Sequence, residues 1–152
     1  MKIILVRHGL TEANIKKTYS LQNTKLHESA YKELEKTKIL LNDYKIDKVY
    51  TSELIRSQET AKFLGYDEFI KDRRLNEMDF GDFKGQSLKF VREKYADFFK
   101  EEELNYFDIP YPNGESRVDV IKRTSGFLEE ISKEEGNILC FSHGIALSLI
   151  HI

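Results

Sequence analysis

Along this chain, short apolar runs rich in β-branched residues alternate with longer stretches in which apolar positions recur at helical spacing. The first run, Ile3 to Val6, is cut off at once by Arg7, His8 and Gly9 and predicts a buried strand with an abrupt end. Residues 15–27 are polar and aperiodic and read as a loop. From Glu28 a helix is expected, with Ala30, Leu34, Thr37, Leu41 and Tyr44 on one face and lysines and glutamates on the other. Residues 48–51 read as a short strand, followed by Ser52 as the N-cap of a helix over 53–64 that closes at Gly65. Phe69 and Ile70 suggest another strand, and 72–86 an ordered, glycine-containing loop with buried aromatics. Ser87 is placed to cap a helix toward Glu102. Pro110, Pro112 and Asn113-Gly114 mark turns, and residues 116–132 read as a helix with Val120, Phe127, Leu128 and Ile131 in the core. A second apolar strand, 137–142, runs straight into His143-Gly144, and a last helix is expected over 145–152. Strands alternating with helices predict a layered α/β sandwich with a mostly parallel sheet.

The 152 residues suit a single domain spanning 1–152 with room for a core. Apolar residues make up 40% and charged residues 33%, the balance of a folded, water-soluble chain. A net charge of −2 gives no global field toward nucleic acid or a membrane surface, and neither partner is expected. Cys140 is the single cysteine and lies in an apolar run, so no internal disulfide framework is available and a small buried hydrophobe is the simplest role for it. No apolar run approaches the ~20 residues of a membrane span, and Met1 to Val6 is too short for a signal-peptide core. The cytoplasm is the expected compartment.

Both strands that end in His-Gly place chemistry at one kind of point, the carboxyl end of a parallel strand, where open α/β folds bind ligands. An arginine there, Arg7, can fork two hydrogen bonds onto phosphate oxygens, and a neutral imidazole beside it, His8, can attack phosphorus. A structural Arg-His pair would look the same in isolation. Thr11 and Asn14 add polar groups that could close an oxyanion pocket. Arg56, one turn into the helix after the second strand, is placed to reach the same sheet edge, although a lone helical arginine is as easily a solvated one. The loop Leu75 to Gly85 offers a general acid, because apolar surroundings favour the neutral form of a carboxyl group. Glu77, Asp79 and Asp82 compete for that role on composition alone. His143 would bring a second imidazole to the phosphoryl oxygens. Phe80, Phe83, Tyr95, Phe98, Phe99, Tyr106, Phe107 and Tyr111 make residues 79–115 aromatic; they serve either as core or as a stacking surface for a ring.

Together these residues resemble the histidine phosphatase superfamily, the phosphoglycerate mutase-like fold. Leu5-Val-Arg-His-Gly9 with Thr11 and Asn14 is similar to its first signature. Ser52, Leu54, Arg56, Thr60 and Ala61 match its second motif, and Leu75, Glu77, Phe80, Gly81 and Gly85 its third. Pro112 with Gly114-Glu115-Ser116 and Arg123 resembles its Pro-x-Gly-Glu-Ser segment, and Ser142-His143-Gly144 its terminal motif. The resemblance runs in order from residue 2 to about residue 148. It implies a three-layer α/β/α sandwich and a phosphomonoesterase acting on a small-molecule phosphate ester. His8 would be the phosphohistidine nucleophile. Arg7, Asn14, Arg56 and His143 would hold the phosphoryl group, with Thr11 a further contact. Glu77 would protonate the leaving oxygen and then activate water, with Arg7 and His143 counted among the catalytic groups. No metal and no cofactor is implied, and His8, His27, His143 and His151 show no His-x-x-x-His spacing.

Several positions depart from the pattern. Leu10 stands where Glu or Gln is usual, Leu21 and Ala30 where glycines are usual, and His27 where threonine is usual. The chain reads as shortened after the terminal motif. A sheet edge or apolar face left uncovered there is expected to be met by a homodimer or by an open, shallow site. Phosphoglycerate mutases usually carry Glu-Arg-His-Tyr-Gly around the acid. Glu77-Met-Asp-Phe-Gly81 looks instead like the phosphatase branch, and the 112–116 segment most like the α-ribazole phosphatase group. A mutase and a non-catalytic phosphoryl-binding module are the alternatives.

Overall fold

The computed structural model describes residues 1–150; His151 and Ile152 lie outside the described residues. Its sheet has four parallel strands: β1 (Lys2–Arg7), β2 (Lys48–Thr51), β3 (Ile70–Lys71) and β4 (Asn137–Ser142), in the order β1-β4-β2-β3. β4 lies between β1 and β2, and from Ile138 to Ser142 it is buried throughout, which explains its near-continuous apolar sequence. Alternate residues of β4 face opposite layers. Leu139 and Phe141 pack with Ala30, Leu34 and Leu41 of α2 (Ala30–Leu41) and Ala61 of α3 (Ile55–Phe63). Ile138 and Cys140 pack with Leu75 and with Phe127 and Ile131 of α6 (Arg117–Ile131). The result is the expected helix-sheet-helix layering, with Cys140 the buried hydrophobe the sequence suggested. No helix among the described residues is long and apolar enough to cross a membrane.

The register of the sheet builds the site. Arg7 pairs with Ser142 and Thr51 with Phe141, so His8, Ser52 and His143 all emerge from the same sheet end. Beyond that end lies a third apolar cluster, centred on the fully buried Phe83. Val91 of α4 (Leu88–Lys94), Phe99 of α5 (Ala96–Leu104), Tyr111, Val120, and Ala146 and Leu149 of α7 (Gly144–Ile150) belong to it. Phe80, Tyr95 and Phe98 pack against it, whereas Tyr106 and Phe107 are exposed. Most of the aromatic region is therefore core. The acid-bearing loop and the 112–114 turn meet backbone to backbone. Gly81 has φ +52°, and a Cβ there would lie 1.9 Å from the Pro112 carbonyl oxygen, so only glycine fits.

Three expectations change. The first two residues of the stretch read as a loop, Ile15 and Lys16, instead end a short helix, α1 (Glu12–Lys16), capped by Thr11. Ser52 does not cap α3, which starts later, at Ile55; its hydroxyl is turned toward His143 instead. The helix expected from Ser87 to Glu102 is two helices broken at Tyr95, which lets Val91 and Phe99 reach the same Phe83-centred cluster; Ser87 does cap the first, accepting from the Phe90 N–H.

Candidate active site

The rings of His8 and His143 stand 5.0 Å apart at an interplanar angle of 54°. His8 Nδ1 lies 2.6 Å from the carbonyl oxygen of Gly9. A carbonyl can only accept, so Nδ1 carries the proton and Nε2 keeps a free lone pair. Burial, with Arg56 and Arg7 nearby, pulls the His8 pKa down to about 4 despite that hydrogen bond, so the ring is neutral near pH 7. Arg7, His8, Asn14, Arg56, Glu77, Gly144 and Ile145 line one cavity. Arg7 is exposed at its mouth, while Arg56 is 3% exposed. Arg56 donates to the carbonyl of Leu21, and its Nε has no partner among the described residues. Burial lowers the Arg56 pKa to about 10, with Glu77 acting the other way, so the guanidinium stays charged.

Thr11 and Asn14 divide their roles in a way the sequence did not separate. Thr11 is fully buried and lies outside the lining of the cavity. Its hydroxyl donates to Asn14 Oδ1 at 2.7 Å, and its backbone N–H donates to the same oxygen at 2.9 Å. With that oxygen occupied, the Asn14 amide presents its NH2 group to the cavity. Thr60, another motif residue, accepts the N–H of Gly9 and donates to the carbonyl of Arg56, tying α3 to the turn after β1.

The three candidate carboxylates differ in position. Asp79 is paired with Lys84 at 2.8 Å and accepts from Gly81 N–H, and Asp82 accepts from Asn113. Glu77 alone of the three lines the cavity that holds His8. Its carboxylate accepts N–H groups from Met78, Ile145 and Ala146 at 3.1–3.2 Å, the last two at the start of α7. The loop beneath it is clamped by a pair whose task its sequence motif did not reveal. Arg123 forms a two-pronged bridge to Glu115 and donates to the carbonyls of Arg74, Asn76 and Glu77. Glu115 in turn accepts the N–H of Asp79.

His143 is fully buried. Its Nε2 lies 2.7 Å from Ser52 Oγ, and its Nδ1 has no partner among the described residues. Burial and the charges of Arg56, Arg123 and Arg7 push its pKa well below the usual histidine value. Two imidazoles, two arginines, an amide and a carboxylate thus converge at one sheet end, an arrangement suited to binding an anionic group beside an imidazole nitrogen.

Comparison with known proteins agrees. The profile of the histidine phosphatase superfamily (branch 1) matches residues 3–152. Phosphoserine phosphatase 1 of Hydrogenobacter thermophilus is 30% identical over 157 residues, covering 99% of this chain and 74% of its own. A 2,3-bisphosphoglycerate-dependent phosphoglycerate mutase of Methylorubrum extorquens is 32% identical over 130 residues, covering 80% of this chain and 61% of its own. Among solved structures, the α-ribazole phosphatase of Shigella flexneri superposes with a TM-score of 0.86 at 31% identity, covering 99% of this chain and 78% of its own.

Proposed function

Since the chain belongs to the histidine phosphatase superfamily, branch 1, we propose that it hydrolyses a small-molecule phosphate monoester through a phosphohistidine on His8. The observation that carries this reading is the free Nε2 of a neutral His8 in a cavity shared with Arg7, Arg56, Asn14 and Glu77. Nε2 attacks phosphorus as the ester P–O bond breaks, and Glu77 gives its proton to the departing oxygen. The arginines, the Asn14 amide and His143 meet the phosphoryl oxygens, where charge is redistributed in the transition state. Water then attacks the phosphohistidine, the P–N bond breaks, Glu77 takes the water proton, and inorganic phosphate leaves. Arginine and imidazole supply the charge compensation in this scheme, so activity is expected without an added metal.

The leaving group has a place of its own. A neighbouring cavity of about 190 Å³ shares Ser20, Arg56, Glu77 and Phe80 with the phosphoryl cavity and adds Leu21, Asn76, Asp79 and Lys84. That is below the ~300–1,000 Å³ typical of pockets for drug-sized ligands, which favours a compact alcohol. The test is hydrolysis of p-nitrophenyl phosphate in EDTA by the wild type and by His8→Ala. Activity that survives EDTA and disappears in the variant supports the scheme; an inactive, folded wild type refutes it. The mutase among the relatives gives a second reading its own check: conversion of 3-phosphoglycerate to 2-phosphoglycerate in excess over phosphate release would replace hydrolysis as the main activity.

A further inference from the structure

Residues 76–80, which carry Glu77, belong to no helix or strand, so their backbone groups have no ladder partners. Glu115 and Arg123 supply partners, and the donors of Arg123 can be counted. A guanidinium has five N–H bonds in a fixed, planar fork. The Nε–H goes to Glu115 Oε1 at 2.8 Å. Nη1 reaches the carbonyls of Arg74 and Asn76, both at 2.8 Å. Nη2 reaches the Glu77 carbonyl at 3.2 Å and Glu115 Oε2 at 2.9 Å. All five donors are spent. Glu115 Oε2 also accepts the N–H of Asp79 at 2.9 Å, and the Glu115 N–H donates to the Asp79 carbonyl at 2.9 Å. The main chain is therefore held at the carbonyls of 74, 76 and 77 and at both backbone groups of 79.

We infer that Arg123 and Glu115 are positioning residues for the general acid, fixing the main chain on both sides of Glu77 so that its carboxyl group stays within reach of the departing oxygen. This rests on the phosphoryl-transfer reading above. Neither side chain lines the cavity that holds His8 or the neighbouring cavity assigned to the leaving group, and Arg123 has no N–H left for a substrate. Their effect must pass through the loop. The carboxylate of Glu77 is tied separately, by the N–H groups of Met78, Ile145 and Ala146. A proton on that carboxyl group weakens those contacts, whereas the clamp touches no titrating atom of Glu77. A lysine at 123 would keep the charge but offer three donors from one point, too few for two carboxylate oxygens and three carbonyls.

The test measures kcat/KM for the wild type, Arg123→Lys, Glu77→Gln and the double variant on two esters. Glycerol 2-phosphate is an alkyl ester whose departing oxygen needs a proton; p-nitrophenyl phosphate does not need one. Because a misplacement of about 1 Å can cost about 100-fold, Arg123→Lys should lose about 10- to 100-fold on the alkyl ester and less than about threefold on the aryl ester. In the Glu77→Gln background the same substitution should change alkyl ester hydrolysis by less than about threefold, since no acid is left to misplace. Residues that merely held the fold would lower both esters alike, and their loss would multiply with that of Glu77→Gln. Either result overturns the inference while leaving hydrolysis through His8 intact. If Arg123→Lys fails to fold, Glu115→Gln carries the same comparison with a smaller loss, since it keeps an acceptor for the Asp79 N–H. Equal losses on both esters in Glu77→Gln itself overturn the acid assignment and this inference with it. A folded wild type inactive on both esters refutes the phosphatase reading on which the inference stands.

Discussion

His8 and His143 follow equivalent strands, are each succeeded by glycine, and face one another across 5.0 Å, yet they are held in opposite ways. His8 is held by its immediate neighbour: Nδ1 bonds the carbonyl of the next residue. The nearby Asn14 is set by Thr11, three residues before it. His143 is held by a serine 91 residues away, and the helix it introduces is bound at its start by Glu77, 68 and 69 residues from its partners Ile145 and Ala146. The partner of one ring nitrogen decides what the other can do. A carbonyl on Nδ1 leaves His8 a lone pair on Nε2, whereas the hydroxyl beside His143 Nε2 can donate or accept, and Nδ1 has no partner among the described residues. In the proposed scheme, local construction gives the nucleophile and long-range construction gives the groups around it.

The sharpest way to break this comparison is to exchange the demands on the rings. His8→Gln keeps a polar side chain but no nucleophile, and a loss of about 10⁴-fold or more in kcat is expected. No acid-labile phosphoprotein should accumulate when it is quenched during turnover. Glu77→Gln should reduce hydrolysis of an alkyl phosphate about 10²- to 10⁴-fold but that of p-nitrophenyl phosphate less than tenfold, since only the poor leaving group needs a proton. Equal losses on both esters would leave Glu77 as a mere anchor for α7. His143→Gln, which can still donate an N–H, should lose about 10²- to 10³-fold, the scale of one transition-state donor, and the phosphohistidine should still be trapped.

Acid should expose what both rings share. Each has a pKa lowered by the fold, so between about pH 4 and 6.5 the unfolded chain binds more protons than the native one. Their contribution is therefore fully present above about pH 6.5 and is lost as pH falls through that window. The urea midpoint should drop from pH 7 to pH 5, and either His→Gln variant should flatten part of the slope. A midpoint independent of pH over that range, with other groups accounted for, would contradict the buried, neutral state of both rings.

The same division between local and long-range construction explains what was legible in the sequence. The strands ending at His8 and His143, Arg56 and the acid loop could all be read, because apolar runs and their abrupt ends are local signals and the parallel register then brings them together. The helix α1 was hidden because its capping residue pair is Thr11 and Asn14, with Asn in place of the Glu or Gln that marks the common capping box. Ser52 looked like a cap because a serine before a helix usually is one; only a buried histidine from the far end of the chain gives it another use. Glu115 and Arg123 stood out as motif residues, but their task could not be read locally, since it is to hold carbonyls of residues 74–77.

Local construction also sets the smallest predicted effect. Thr11 acts on the cavity only through Asn14 and the first turn of α1, so its removal should loosen one donor and leave the nucleophile in place. Thr11→Ala should lower stability by about 1 kcal/mol, the usual value of an N-cap. With the Thr11 hydroxyl gone, Asn14 Oδ1 keeps only a backbone N–H, and its amide spends part of its time turned away. A several-fold rise in KM for p-nitrophenyl phosphate with little change in kcat is the expected result, and Thr11→Ser should restore both KM and stability. Were Thr11 itself a phosphoryl ligand, the alanine variant would instead lose kcat on the scale of His143→Gln. The ratio of those two losses distinguishes a residue that shapes the cavity from one that meets the transferring group.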